Sequence, residues 1–175
     1  MSVAIRRATA DDLEVLRVLL RDTWHATYDE LYGPEEVERL TAGWHSIEAM
    51  EQRLRRPEAH FPVAEREGAI VGMGFAAEEE PGVLFLHQLY VLPAEQRHGV
   101  GTALLASAIE AFPAVDRVRL DVEAANRPAV EFYEKHGFAA LGLEAETTVP
   151  RMMRMERLLA ERRVSVGGQS GDATP

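Results

Sequence analysis

The sequence contains no cysteine, and its 19 basic residues include a single lysine, Lys135. The absence of cysteine excludes disulfides, thiolate metal ligands and a cysteine acyl-enzyme. Acidic residues outnumber basic ones by 29 to 19, which gives a formal net charge of −10. Binding to nucleic acid is not expected, because neutralising phosphates needs a basic face. An anionic ligand would therefore need a local site.

Long apolar runs and metal motifs are also missing. No apolar run approaches the roughly 18 residues that a membrane span requires. The segment Met1–Arg7 becomes charged before an apolar region develops, so no secretory signal is visible and a cytoplasmic location is expected. The six histidines form no His-Glu-x-x-His motif or close cluster, so no metal is predicted, and a Gly-x-Ser-x-Gly hydrolase elbow is absent.

The length and the order of patterns predict one mixed α/β domain. Of the 175 residues, 1–160 are expected to form the domain and 161–175 a disordered tail, because the end is rich in Gly, Ser and Thr. The predicted order is strand, two helical regions, three strands, helix, strand, helix and two strands. That order favours a mixed sheet with helices on its faces.

Three local signals locate the main elements. Thr9 is a helix cap, and Arg66-Glu67-Gly68 is typical of a hairpin turn. The helical region 22–57 is rich in aromatics and is broken at Gly33 and near Gly43. The run Val83–Leu92 is almost continuously apolar, which predicts a central strand buried on both faces.

The segment that follows this strand is the one that suggests chemistry. It reads Gln96-Arg97-His98-Gly99-Val100-Gly101-Thr102 and leads directly into an apolar helix. The first turn of a helix offers free N–H groups, and glycine lets a phosphate approach them closely. The alternative is a plain strand-to-helix turn. A Rossmann site fits poorly, although Asp121 lies at a suitable distance, because Leu104 fills the third glycine position.

Two motifs together carry a family resemblance. Gln96–Gly101 resembles the acyl-CoA signature Gln/Arg-x-x-Gly-x-Gly/Ala of the GCN5-related N-acetyltransferase (GNAT) superfamily. The segment Asn126–Phe138 is similar to that family's Asn-x-x-Ala-x-x-x-Tyr-x-x-x-Gly-Phe element. Both occur in the family's order and are separated by one strand. The resemblance covers about residues 3–160 and implies the GNAT acyltransferase fold.

The resemblance implies a set of contacts to acetyl-CoA as the acyl donor. Backbone groups of the central strand would pair with the pantetheine arm, and the glycine turn would bind the pyrophosphate. Asn126 matches a position that often contacts the cofactor, and Tyr133 matches the tyrosine beside the thioester sulfur. The implied cofactor-binding residues are Leu89, Tyr90, Val91, Gln96, Arg97, His98, Gly99, Val100, Gly101, Thr102, Asn126 and Tyr133.

The catalytic assignments follow from the same resemblance and from side-chain chemistry. Tyr133 is predicted to be the general acid toward sulfur, and its alternative is a core aromatic residue. His87 is predicted to take the proton from the amine, and its alternative is a hydrogen-bonded buried histidine. Glu123 is a competing base, with a solvated strand end as its alternative. The implied reaction is direct attack of an amine in a ternary complex.

The acceptor side is less defined by sequence. Trp24, His25, Tyr28 and Tyr32 either line an acceptor pocket or form a core stripe, and the late loop 144–150 is expected to add specificity. The sequence thus predicts an N-acetyltransferase for a primary amine of a small molecule or peptide. A non-catalytic acyl-CoA sensor is the alternative. Exposed edges of a mixed sheet offer a route to a homodimer.

Overall fold

A computed structural model describes residues 3–143 and 151–159 of the chain. Five helices and eight strands lie within these ranges. The helices are α1 (Leu13–Tyr32), α2 (Pro34–Trp44), α3 (Ile47–Arg55), α4 (Val100–Glu110) and α5 (Arg127–Lys135). The strands are β1 (Ala4–Arg7), β2 (Ala59–His60), β3 (Pro62–Arg66), β4 (Ala69–Glu80), β5 (Val83–Val91), β6 (Arg117–Glu123), β7 (Ala139–Leu143) and β8 (Met152–Leu158).

The strands form one mixed sheet, which confirms the predicted fold class. Their order is β1-β3-β4-β5-β6-β8-β7, and β2 pairs with β4 outside this path. Within the described ranges only β5 and β6 pair in parallel, and the other pairs are antiparallel. The predicted tail 161–175 and the predicted specificity loop 144–150 lie outside the described residues.

A 3-10 turn, Ala10–Asp12, precedes α1, so Thr9 is the N-cap of that turn and Asp12 is the N-cap of α1, whereas the first hairpin forms as its sequence predicts. The Asp12 carboxylate accepts hydrogen bonds from the Thr9 N–H at 2.8 Å and from the Thr9 hydroxyl at 3.1 Å. Arg6 of β1 donates to the same carboxylate at 2.8 Å and lowers its pKa to about 2. In the hairpin between β3 and β4, Glu67 and Gly68 both have positive φ, as a tight turn of this kind requires.

Helices cover both faces of the sheet and create two apolar clusters. On one face α1 and α3 bury residues such as Leu16, Leu20 and Met50 against β3 and β4. On the other face α4 and α5 bury Leu105 and Val130 against β5, β6 and β8. No helix in the described part of the chain is long and apolar enough to cross a membrane. The central strands of the sheet are thus packed between helices on both faces.

The central strand differs from its prediction in one half. Its first part is buried, with Leu84 fully enclosed, but the residues from Gln88 to Val91 are only partly buried. The reason is that β5 pairs with β6 at only three positions, Val83, Leu84 and Phe85, opposite residues 117–119. Beyond these pairs the two strands diverge, and the second half of β5 lines an opening in the sheet.

Candidate active site

A β-bulge marks the place where the sheet opens. Phe75 of β4 pairs with Gln88, whereas the next residue, Ala76, pairs with Leu86. His87 is therefore the extra residue on β5, and such a bulge bends the strand and increases its twist. The divergence of β5 from β6 produces a cleft of about 2080 Å³. Residues of α1, α3, β5, α5 and the turn before α4 line it.

The edge of β5 turns backbone groups toward this cleft. The Leu92 N–H donates to the Val71 carbonyl at 3.0 Å, on the side of β4. Since successive peptide groups of a strand point to opposite edges, the N–H groups of Val91 and Leu89 point away from β4. On that edge the Gln96 side chain donates to the Val91 carbonyl at 3.1 Å. A ligand in the cleft therefore meets a strand edge that β6 does not cover.

The glycine turn at the end of the cleft precedes α4. Arg97 and Gly99 both have positive φ, of 64° and 80°, and α4 begins at Val100. The N–H groups of the first helical turn carry the positive end of the helix dipole. At Gly101 a Cβ atom would lie 3.3 Å from the Phe132 ring of α5, so the absence of a side chain keeps this turn open. The arrangement suits a phosphate group.

Not every residue of the turn faces the cleft. Gln96, Arg97, Gly99, Gly101 and Thr102 line it. The Val100 side chain is instead buried beneath α4 in an apolar cluster, and the His98 side chain is exposed outside the cleft lining. For Val100 a ligand contact would therefore have to come from the backbone.

Tyr133 of α5 and Asn126, the N-cap of that helix, lie on the opposite wall. Tyr133 is buried against Phe132 and Phe138, and its side chain lines the cleft. Burial raises the pKa of Tyr133 above its usual value, so the phenol keeps its proton at neutral pH. Asn126 caps α5 by accepting the Ala129 N–H, and its amide donates to the Tyr28 hydroxyl at 3.2 Å.

His87 lies at the outer rim of the cleft. Its Nε2 atom is 2.6 Å from a carboxylate oxygen of Glu79, and the same carboxylate pairs with Arg56 at 3.0 Å. The imidazole also contacts the rings of Phe75 and Phe85. The side chain is about one third exposed, so it is not the buried histidine that the sequence left as the alternative.

Glu123 is the buried carboxylate of the cleft. Only 4% of its surface is exposed, and it accepts hydrogen bonds from the Tyr32 hydroxyl at 2.6 Å and from the Ala125 N–H at 3.2 Å. Burial, reinforced by this hydrogen bond and the Glu123 charge, raises the pKa of Tyr32. Tyr32 also stacks on Tyr28. The solvated strand end considered as the alternative for Glu123 is not what the structure contains.

Two aromatic residues of α1 serve both roles that their spacing allowed, whereas Tyr32 does not line the cleft. Trp24 and Tyr28 are buried with Val37 in a small cluster, and both also line the cleft. Their neighbours in the cleft wall include Tyr90, whose pKa burial raises to about 12. His25 points elsewhere, because it pairs with Asp29 of its own helix at 2.7 Å. His25 is not among the residues that line the cleft.

Sequence reasoning missed many of the residues that line the cleft, among them His45, Arg53 and Gln88. The segment containing Arg53 is typical of a solvated helix face, and Arg55 is indeed exposed. No sequence signal distinguishes Arg53 from Arg55, because the difference arises from how α3 lies on the sheet. Among the residues described here, no group of three His, Asp or Glu side chains could hold a metal ion.

Comparison with known proteins assigns this architecture to a family. A model of the acetyltransferase (GNAT) family matches residues 18–138. A spermidine N(1)-acetyltransferase of Thermoplasma acidophilum is 26% identical over 144 residues, 79% of this chain and 89% of that protein. An N-alpha-acetyltransferase of Sulfurisphaera tokodaii is 34% identical over 101 residues, 50% of this chain and 60% of that protein.

Solved structures agree with the sequence comparison. The crystal structure of the PaiA N-acetyltransferase of Thermoplasma acidophilum, in complex with coenzyme A, matches 91% of this chain and 100% of that chain, with a TM-score of 0.81 and 25% identity. The ribosomal-protein-S18-alanine N-acetyltransferase of Escherichia coli has the same fold, with a TM-score of 0.69 and 18% identity over 93% of this chain and 99% of that chain. The chain belongs to the GNAT acetyltransferase family, which confirms the resemblance carried by the two motifs.

Proposed function

We propose that the protein is an N-acetyltransferase that moves the acetyl group of acetyl-CoA to a primary amine of a small molecule or peptide. The observation that carries this proposal is the uncovered edge of β5 leading to the glycine turn before α4. An extended pantetheine arm can add to such an edge as a strand does, and a pyrophosphate suits the helix N-terminus. The coenzyme A complex of a structural relative supports the same use of the cleft.

The residues present fit the cosubstrate along the whole cleft. The backbone N–H groups of Leu89 and Val91 would bind the pantetheine arm, while the backbone groups of Tyr90 between them face β4. The backbone from Arg97 to Thr102 would bind the pyrophosphate, and Gln96 orients the start of this turn through the Val91 carbonyl. Asn126 lies at the opening between β6 and α5, where it would contact the thioester end. Acetyl-CoA supplies an already activated acyl group.

The chemistry asks three things of the protein, and cleft residues can meet each. Of the two free N–H groups on this edge of β5, the one beside the acyl end of the cosubstrate can polarise the thioester carbonyl, while the other binds the pantetheine arm. The Tyr133 hydroxyl retains its proton at neutral pH and can donate it to the departing sulfur. The third requirement is an acceptor for the proton of the attacking ammonium. Direct attack in a ternary complex then needs no covalent bond to the protein.

The proton of the attacking ammonium needs an acceptor, and two side chains are candidates. His87 stays the prediction made from sequence, but its Nε2 atom is engaged by Glu79. Glu123 is buried next to the tyrosines of the cleft, and no Lys or Arg of the described ranges forms a salt bridge with it. These surroundings favour Glu123. Comparing Glu123→Gln with His87→Gln decides between them, since loss of the base lowers kcat by about 100-fold.

Two measurements test the proposal: the binding of acetyl-CoA and then the release of CoA in the presence of amines. Acetyl-CoA is titrated into the protein by calorimetry, and CoA release is then followed against a panel of amines that includes spermidine and peptide N-termini. Binding with amine-dependent release is the expected result. Binding without release by any amine would favour the acyl-CoA sensor instead, and absence of binding would contradict both.

A further inference from the structure

Within the described part of the chain, four buried polar atoms without a hydrogen-bond partner belong to residues that line the cleft. One is Trp24 Nε1, and the other three lie in one wall of the cleft. They are His45 Nδ1, Arg53 Nη1 and Gln88 Oε1, and all three side chains line the cleft. The Arg53 guanidinium is 6.0 Å from the centre of the Phe75 ring, and Phe75 pairs with Gln88 across the strands. Buried polar atoms normally have partners, so this wall is built for a polar ligand group.

The charge of Arg53 specifies what that group is. Its Nη2 atom donates to the Trp44 carbonyl at 2.9 Å, but no carboxylate of the described ranges forms a salt bridge with it. Its neighbours on the same segment are paired, Arg55 with Glu51 and Arg56 with Glu79. Burial lowers the pKa of Arg53, which reflects the cost of desolvating its charge. A carboxylate from a ligand would offset that cost through charged hydrogen bonds.

The polar neighbours of Arg53 fit a carboxylate better than a second positive group. Burial lowers the pKa of His45 to about 4, so its imidazole is neutral at neutral pH and adds no competing charge. It can donate a hydrogen bond from Nδ1 in one tautomer. The Gln88 side-chain amide carries two donor hydrogens, and rotation of the amide would turn them toward a carboxylate. A polycationic amine would instead place like charge next to Arg53.

Another charge in the same cleft has the opposite sign. Glu123 is buried on the β6 side, and its hydrogen bonds come from the neutral groups of Tyr32 and Ala125. Counting only residues that the structure describes, the cleft thus offers a cation without an acidic partner on α3 and a carboxylate without a basic partner on β6. The complement of two such groups is a ligand that carries one carboxylate and one ammonium.

We propose that the acceptor is an amino carboxylate, whose carboxylate binds Arg53 with His45 and Gln88 while its amine faces Glu123. This inference rests on the proposed function, since it names the acceptor class of the same reaction. It assigns Arg53 as a specificity-determining residue that holds the acceptor at the end remote from the reacting amine. The aromatic surroundings of the cleft suit an apolar portion between these two groups; they include Trp24, Phe75 and Tyr90.

A binding experiment tests the carboxylate site without knowledge of the acceptor. Phenylacetate and phenylacetamide have nearly the same shape and differ in charge, and their binding is measured by ligand-observed NMR. We expect the carboxylate to bind about tenfold more tightly than the amide, because only it pairs with Arg53. Arg53→Gln should remove this difference, whereas Arg55→Gln, at an exposed position outside the cleft, should retain it. Arg53→Lys should restore part of it.

Kinetics test the acceptor class. α-Amino acids and longer ω-amino acids are compared with their carboxamides as substrates for CoA release, and the two series show how far the amine lies from the carboxylate. We expect Arg53→Gln to raise KM for the carboxylates by about tenfold and KM for the carboxamides by much less, because only the carboxylates lose a charged partner, while the Kd for acetyl-CoA is unchanged.

The outcomes separate the two proposals. Equal binding of phenylacetate and phenylacetamide to the wild-type protein would overturn the Arg53 assignment, even if acetyl-CoA binds and is turned over. The Arg53 assignment would also be overturned if the wild-type protein preferred carboxamides as substrates, or if Arg53→Gln raised KM equally for the carboxylates and the carboxamides. Failure of the wild-type protein to bind acetyl-CoA would instead overturn the proposed function, and the phenylacetate measurement would still decide the carboxylate site.

Discussion

Single side chains in the cleft acquire their proposed roles from burial. Tyr133 packs against Phe132 and Phe138, and the same burial that makes it part of the core raises its pKa. The two interpretations that its sequence position allowed, core residue and proton donor, are therefore compatible. A phenol that keeps its proton is suited to donate it when a thiolate forms.

The first prediction concerns this hydroxyl. Tyr133→Phe keeps the ring and its packing but removes the proton, so kcat should fall by about 100-fold while the Kd for acetyl-CoA is unchanged. Steady-state CoA release and calorimetry measure the two quantities. Wild-type turnover in the variant would remove Tyr133 from the role of acid, and a weakened Kd would show that its main contribution is to binding.

Some residues that the sequence motifs single out line the cleft, whereas residues whose place in the cleft depends on orientation carry no such signal. The motif residues Gly101 and Tyr133 both line the cleft. Arg53 lies in a segment whose sequence is typical of a solvated helix face, and its place in the cleft depends on which side of α3 faces the sheet. That orientation depends on how α3 packs through Met50 against the sheet, which is a tertiary contact.

At the scale of elements, the N-terminus of α4 depends on the absence of a side chain at Gly101. A side chain at Gly101 would approach the Phe132 ring of α5 and displace either that ring or the turn. The second prediction is that Gly101→Val weakens acetyl-CoA binding by about tenfold or more, because the first-turn N–H groups lose their alignment. Calorimetry measures the change.

A glycine in another helix provides the control for this prediction. Gly43 of α2 has nothing within 4 Å of the position that a Cβ would occupy. Gly43→Val should therefore leave the Kd for acetyl-CoA unchanged, although both substitutions alter helix propensity. Equal Kd values for the two variants would argue against a cosubstrate contact at α4.

The junction of β1 with α1 gives a third prediction, on stability against pH. Arg6, followed by the Thr9 hydrogen bonds, lowers the pKa of Asp12 from its ordinary 3.8 to about 2. The stabilisation is therefore complete above pH 3.8 and is lost as the pH falls through about 2. Because Arg6 is 40% exposed, solvent screening reduces the contribution, and Asp12→Asn should cost about 1 kcal/mol at neutral pH.

Denaturant unfolding across this pH range checks the expectation. The difference in the free energy of unfolding between the wild-type protein and Asp12→Asn should shrink as the medium becomes more acidic. Asp11→Asn, at the exposed neighbouring position, should unfold like the wild-type protein at every pH. If the wild-type protein stays more stable than Asp12→Asn in strong acid, the charge of the carboxylate is not the source of the added stability.

At the scale of the whole molecule, cosubstrate binding should appear as added stability. A ligand that binds only the folded protein contributes about 2.7 kcal/mol when its concentration is 100 times Kd. For a chain of this size the fourth prediction is a rise in Tm of about 5 to 10 °C in saturating acetyl-CoA. Differential scanning calorimetry measures it. Acetate or free adenine at the same concentration should produce no shift.

The overall architecture was more predictable than the shape of its centre. Alternating strand and helix patterns, with hairpin turn chemistry at Glu67 and Gly68, predicted a mixed sheet and its order of elements. The apolar run of β5 predicted a strand enclosed along its whole length. Its second half is open because the partner strand leaves it after Phe85, and hydropathy does not report where two strands part.

The divergence of β5 from β6 also means that the two parts of the sheet are joined by few hydrogen-bonded pairs. Three residue pairs join β5 to β6, whereas seven join β6 to β8. The part of the sheet formed by β1 to β5 is thus joined to the part formed by β6 to β8 through only a few residue pairs. On one face of the sheet, the apolar cluster under α4 and α5 packs against both parts. The two parts of the sheet are thus joined by only three residue pairs where the cleft begins, and a rotation of one part against the other would change the width of the cleft.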